Sequence, residues 1–325
     1  MILDSLEIAV GNPKLTILLY NSMKDYQNIE SEFQEKLKSF SFFDKLVFKK
    51  NFYSELEYFE KNFFSIFFIS IFKTADLSSS KINKYGIIFH MIREIITAAD
   101  NILDNEEKGP VILSGNGNPV LKNIILILLS NYVLLNNTDS NLSFIKIMET
   151  LDKIAAGESI AKLDKTTPYP SSNFIKNQIH RNIGGELLAI AFDIPIAEEI
   201  ELKTLFTFFR EAIILIGNSL QALDDMTDVI EDIEKGKANL LTSVIIENEN
   251  ISEFEILNNK NQLTTLYSKY YEMVINDSIS QSLKGFELLE SSGYPISQKS
   301  AKKILKMMFK LRELEKEWLI YENKA

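Results

Sequence analysis

The chain has 325 residues, 46% hydrophobic and 25% charged, with a formal net charge of −10. This composition specifies an ordinary globular protein, and its acidity argues against nucleic acid as the main partner. Cysteine is absent and histidine occurs only at His90 and His180, which excludes disulfides, zinc–thiolate sites, thiol catalysis and histidine-rich metal centres.

The first residues, Met1-Ile-Leu-Asp4, carry no basic region ahead of an apolar core, so no signal peptide is expected. The longest uncharged apolar stretch, 123–135, is too short to span a membrane, and a cytoplasmic location is the expectation. Apolar residues at helical spacing predict helices over 29–46, 53–72, 81–105, 121–135, 142–156, 173–192, 200–235, 262–289 and 298–321. Loops are marked by Asp76-Leu-Ser-Ser-Ser80, Gly109-Pro110, Ser114-Gly-Asn-Gly-Asn-Pro119, Thr166-Thr-Pro-Tyr-Pro170 and Ser291-Ser-Gly-Tyr-Pro295. Val111–Leu113 is a brief strand candidate. No internal repeat or long linker divides the pattern. One all-α domain over 1–325 is therefore expected, a single large helical bundle with several helices apolar on more than one face.

Two acidic clusters sit inside these helices. Asp100-Asn-Ile-Leu-Asp104 ends the helix predicted over 81–105, and His90, Arg93 and Thr97 lie near the same face. Asp224-Asp225-Met-Thr-Asp228 with Asp232 lies in the helix predicted over 200–235, where residues four apart stack on one face. Both clusters fall toward helix C-termini, where the dipole disfavours negative charge. Carboxylates placed against the dipole suit cations, and all-oxygen donors suit Mg²⁺. The candidate metal ligands are Asp100, Asp104, Asp224, Asp225, Asp228 and Asp232. The competing reading is a solvated face, with Arg93, Lys235 and Lys237 neutralising the acids.

These residues resemble the isoprenoid (polyprenyl) synthase superfamily. Asp100-Asn-Ile-Leu-Asp104 is similar to its first aspartate-rich motif, with Asn101 in place of the second aspartate. Leu220-Gln221-Ala-Leu-Asp224-Asp225-Met-Thr-Asp228-Val is similar to the second, and Glu231-Asp232-Ile-Glu-Lys-Gly236-Lys237 to the segment after it. The likeness covers about residues 60–250. It implies a bundle with a central apolar cavity, capped by the two motifs. Mg²⁺ held there would bind an allylic prenyl diphosphate, C10–C20 or longer, and help to remove diphosphate. The resemblance also suggests a homodimer.

Chain-elongating members carry basic residues for a second diphosphate. The corresponding stretches here read Lys61-Asn-Phe-Phe-Ser-Ile-Phe-Phe, Asn105-Glu-Glu-Lys108-Gly109 and Asn182-Ile183-Gly184, so most of those groups are missing. His180-Arg181-Asn-Ile-Gly184-Gly185 instead resembles the middle helix of class I terpene synthases, where an arginine senses diphosphate just before a glycine-marked break. Arg181 and Gly185 look like that pair, although glycines here also suit tight helix packing or a kink. Arg93, Gln221, Lys235 and Lys237 are further candidate substrate-binding residues. The leading expectation is a terpene synthase. The alternatives are a prenyltransferase, by chain elongation or transfer to a non-isoprenoid acceptor, and a catalytically inactive partner subunit on the same fold.

Overall fold

The computed structural model describes residues 6, 10–37, 46–48, 54–104, 109, 111–114, 117–137, 141–164 and 168–324. The longer helices are α1 (Pro13–Leu37), α2 (Glu55–Lys61), α3 (Phe63–Thr74), α4 (Ser79–Asp104), α5 (Pro119–Leu135), α6 (Asn141–Ala161), α7 (Lys203–Thr227), α8 (Val229–Lys235), α9 (Leu240–Glu249), α10 (Ser268–Ser291), α11 (Gln298–Leu311) and α12 (Glu315–Lys324). A π-helix over Ile175–Glu186 lies between α6 and α7. The expected strand Val111–Leu113 (β2) pairs antiparallel with Leu46–Phe48 (β1), Leu46 opposite Leu113. Leu46 therefore belongs to a strand, not to the end of the helix predicted over 29–46. Contacts divide the chain into two compact units. One holds Pro13–Ile145 and Ala197–Leu202, and the other Ala9–Asn12, Lys146–Ile196 and Lys203–Ala325.

In the first unit, α1 buries Leu15, Leu19, Met23, Tyr26, Ile29, Phe33 and Leu37, one apolar stripe at three- and four-residue steps. It packs on α3 and α4. Almost every side chain of α3 is buried, as an interior helix requires. The helix predicted over 53–72 breaks at Asn62, whose Nδ2 donates to the Tyr58 carbonyl at 3.1 Å. Its Oδ1 accepts from Arg93 Nη1 at 3.1 Å.

Arg93 belongs to a buried polar cluster. Its Nη1 also donates to Tyr26 Oη at 3.1 Å, and Tyr26 Oη bonds His90 Nδ1 at 2.9 Å. Burial, then the Arg93 charge, holds His90 down to about 3. Burial pushes the neighbouring Glu94 up to about 7, opposed by Arg93 and assisted by Glu30. Glu94 Oε1 has no hydrogen-bond partner among the described residues.

The folded-state value of Glu94 lies above the unfolded 4.5, so folding favours its protonated form. The resulting penalty is absent below that value, grows as pH rises and is complete above about 7. Glu94→Gln removes the titration. Its stability relative to wild type should rise by about 3 kcal/mol between acidic pH and pH ~8 in denaturant titrations. A pH-independent difference would contradict a buried, titrating Glu94.

In the second unit, α7 packs against α10 and the π-helix. Glycine makes both crossings possible. A Cβ on Gly217 of α7 would lie 2.5 Å from the Gly184 carbonyl oxygen, and one on Gly184 would lie 2.7 Å from that of Gly217. Gly285 of α10 meets the Ala212 carbonyl in the same way. In an unobstructed helix, Gly217→Ala would stabilise by about 0.5–1 kcal/mol. Here it should destabilise by about 1–3 kcal/mol through backbone collision, read as a lowered melting temperature. A stabilised variant would show that the crossing tolerates a side chain.

Candidate active site

The helix predicted over 200–235 is two helices with a bend at Asp228 (φ −101°, ψ 9°). Thr227 Oγ1 donates to the Asp224 carbonyl at 2.8 Å and to Asp228 Oδ1 at 2.9 Å, which engages the hydroxyl at the turn. Helical bonds still cross it, from Asp228 N–H to the Asp224 carbonyl and from Asp232 N–H to the Asp228 carbonyl. Helix α8 then ends at Gly236, whose left-handed backbone (φ 65°) suits glycine.

The four aspartates of this motif meet different fates. Asp228 is exposed at the bend. Asp224 is half-buried, and its Oδ1 accepts from Arg312 Nη1. Asp232 Oδ2 accepts from Asn239 Nδ2 at 2.8 Å. Burial pushes both Asp224 and Asp232 up to about 6. Arg312 opposes the rise at Asp224, which Asp228 and Asp225 reinforce. At Asp232 the Asn239 hydrogen bond and the Lys237 charge oppose it. Carboxylates crowded this way are stabilised by a cation.

Asp225, expected among the metal ligands, points elsewhere. It is buried, and its Oδ2 accepts from His180 Nε2 at 2.9 Å and from the Leu240 N–H. Gln221, expected at the substrate, sets its Nε2 3.4 Å from Asp225 Oδ1. Both oxygens of Asp225 are thereby engaged: Oδ2 ties α7 to the π-helix and to the start of α9, and Oδ1 is held within α7. Asn239 completes the knot, because its Nδ2 donates to the Asp225 carbonyl and its Oδ1 caps α9. His180 and Asn239 are not assigned to the site by the sequence. Arg312, which the sequence places on the last helix where it could close over the site or sit on an exposed amphipathic face, joins them. Their partners lie 45, 14 and 88 positions away, and no local pattern signals such pairs.

The first motif lies in the other unit. Asp100 is exposed near the end of α4, whereas the Asp104 side chain lies outside the described residues. Asn101 is buried and donates to Asn123 Oδ1 of α5 at 3.2 Å, so the position that departs from the family motif packs two helices together. Arg93 is drawn into its cluster with Tyr26 and Asn62, which leaves it poorly suited to a diphosphate.

The remaining candidates divide. Arg181 is half-exposed, 3.6 Å from Glu211. Gly185 is buried against Ile214 and Asn218, which is the tight-packing role weighed for these glycines. Lys235 pairs with Glu231 within α8 and lines a cavity of about 550 Å³ with Leu163, Tyr169, Ile233, Phe254 and Leu257. Lys237 pairs its backbone with Lys162, and its N–H donates to the Asp232 carbonyl at 2.8 Å.

Among the described residues, no three carboxylates or imidazoles converge on one point. Mg²⁺ does not require three, since it commonly takes one or two carboxylates with water and phosphate oxygens. Asp224 and Asp228, four residues apart, offer two carboxylates of that kind, and Arg312 partly neutralises Asp224.

No protein-family profile matches the sequence, and no curated protein does. Solved structures do. The heptaprenyl diphosphate synthase of Staphylococcus aureus matches with a TM-score of 0.58 at 15% identity, over 87% of this chain and 98% of that one. The chain has the isoprenoid synthase fold. A geranylgeranyl pyrophosphate synthetase from Pyrococcus horikoshii matches at 0.54 and 13% identity, over 91% and 98%. One from Lactobacillus brevis matches at 0.53 and 12%, over 93% and 96%. No helix among the described residues is long and apolar enough to cross a membrane.

Proposed function

We propose that this isoprenoid-synthase-fold chain is a Mg²⁺-dependent prenyltransferase that ionises an allylic prenyl diphosphate and passes the prenyl group to an acceptor. The observation that carries the proposal is the α7–α8 bend, which sets an exposed Asp228 one turn from Asp224, itself paired with Arg312, while Asp225 is held in the interior by His180. The similar solved structures are named as prenyl diphosphate synthases, which favours transfer over cyclisation.

In this account Asp224 and Asp228 hold metal, with Asp100 and Asp104 of the first motif as further ligands on the sequence resemblance. When bound, Mg²⁺ neutralises charge developing on the departing diphosphate. Arg181, half-exposed, supplies a guanidinium for a diphosphate oxygen. Asp225 and His180 act only by fixing the bend, and Asn239 keeps Asp232 in register with it. The expected homodimer has a candidate face on α5, where Leu121, Leu128, Tyr132 and Leu135 are each more than half exposed. Sedimentation equilibrium reads it.

A terpene synthase is the second reading, favoured by the missing basic segments and by the placement of Arg181 within the glycine-packed π-helix, just before Gly184 and Gly185. Product analysis by mass spectrometry separates the two. C10, C15 and C20 diphosphates are each incubated with Mg²⁺, alone and with isopentenyl diphosphate or an aromatic or peptide acceptor. Transfer predicts an adduct only when an acceptor is present. A hydrocarbon or alcohol from a single substrate would replace the proposal with cyclisation, and no product in any arm would favour an inactive partner subunit.

A further inference from the structure

The contact between Arg312 and Asp224 lies within one compact unit and joins residues 88 positions apart. Arg312 stands at a built corner, not on a loose tail. Helix α11 ends there, and the Arg312 N–H donates to the Phe309 carbonyl at 3.1 Å. Glu313 adopts a left-handed backbone (φ 59°), and the Leu314 N–H returns to the same carbonyl at 2.9 Å. Helix α12 then begins at Glu315 and buries Trp318, the only tryptophan, against Phe309 and Tyr321 with ring centroids 5.2 and 5.5 Å apart. A non-glycine residue with positive φ is uncommon and needs surrounding structure to hold it. Here the Trp318–Phe309 packing supplies that support. The corner therefore aims one guanidinium at one carboxylate of the second motif.

A carboxylate oxygen accepting from a guanidinium cannot also present that lone pair to a divalent cation. The guanidinium also places positive charge where the cation would sit, so the two compete. The Arg312 side chain is 42% exposed and that of Asp224 23%, which keeps the pair weak enough to exchange. Its neighbour Asp228 carries no such counter-ion among the described residues, so an incoming cation has one open carboxylate and one guarded one.

We propose that Arg312 is an electrostatic latch on Asp224. It holds that carboxylate until a divalent cation takes the site. The proposal rests on the reading of Asp224 as a metal ligand, and it adds a built-in competitor that sets the site's cation affinity. Arg312 is a positioning residue here, acting through Asp224.

The test uses the purified full chain and needs no turnover. Mg²⁺ binding is measured by calorimetry, and Mn²⁺ binding by the loss of free-ion electron paramagnetic resonance signal. Both are run on wild type, Arg312→Ala, Arg312→Lys and Asp224→Ala. Losing an exposed pair of this kind should tighten cation binding about 5-fold in Arg312→Ala. Arg312→Lys, which keeps the charge, should fall between it and wild type.

Equal affinity in wild type and Arg312→Ala would overturn the latch while leaving the metal site intact. Unchanged binding in Asp224→Ala would overturn the latch by removing Asp224 from the site. No binding in any protein would overturn both the latch and the proposed function.

Discussion

Asp225→Ala should cost about 1–3 kcal/mol of stability for each of the two buried donors it strands, the range for a buried polar group left without its partner. The side chain is buried between His180 and the Leu240 N–H, and both donors would lose their acceptor at once. Soluble yield should fall, and any purified variant should melt about 3–9 °C lower. Asp228→Ala, at the exposed bend three residues on, should stay within about 0.5 kcal/mol of wild type. The two variants thus separate a brace from a ligand in one motif. A stable Asp225→Ala that loses cation binding would return Asp225 to the metal site. His180→Ala should reproduce part of the Asp225 defect, since it removes one of the two donors on Asp225 Oδ2 and leaves the Leu240 N–H as the other.

Asp228→Ala and Asp224→Ala should each lower Mg²⁺-dependent diphosphate release by about 10³-fold, the upper range for removing one preorganised electrostatic contact. Asp228→Ala is the cleaner test, because Asp224→Ala also frees Arg312. A circular-dichroism melt close to wild type would place the loss in the site. Activity within a few-fold of wild type in Asp228→Ala would remove the bend from the mechanism.

Much of the helical skeleton is written in local periodicity. The stripe in α4 and the long apolar run of α5 fall where the sequence puts them, within a few residues. The interruptions depend on tertiary partners. Asn62 breaks a helix where it is bonded by Arg93, and the corner at Arg312 depends on Trp318 packing against Phe309. The π-helix is invisible to a 3.6-residue period, because its bonds span five residues while its composition stays that of an α-helix. Strand β1 was missed because Leu46–Phe48 gains strand character only from pairing with β2. Helix α9 was missed although Asn239 caps it, since its apolar run shows little sidedness.

The site was half legible for a related reason. Asp224 and Asp225 are chemically identical neighbours, but about 100° of helix separates their directions. One meets Arg312 at a half-buried edge, and the other meets His180 in the interior. Only the packing of the π-helix against Gly217 decides which is which. Arg93 was misread because its polar stripe on α4 looks solvated until α1 and α3 cover it.

The most direct measurement is diphosphate release from a C15 allylic diphosphate by pure wild-type protein, with Mg²⁺ and with chelator, in the presence of isopentenyl diphosphate or another acceptor. The account predicts release that depends on Mg²⁺, rises when the acceptor is added and is lost in Asp228→Ala. Release that persists in chelator, or that Asp228→Ala leaves unchanged, would contradict it.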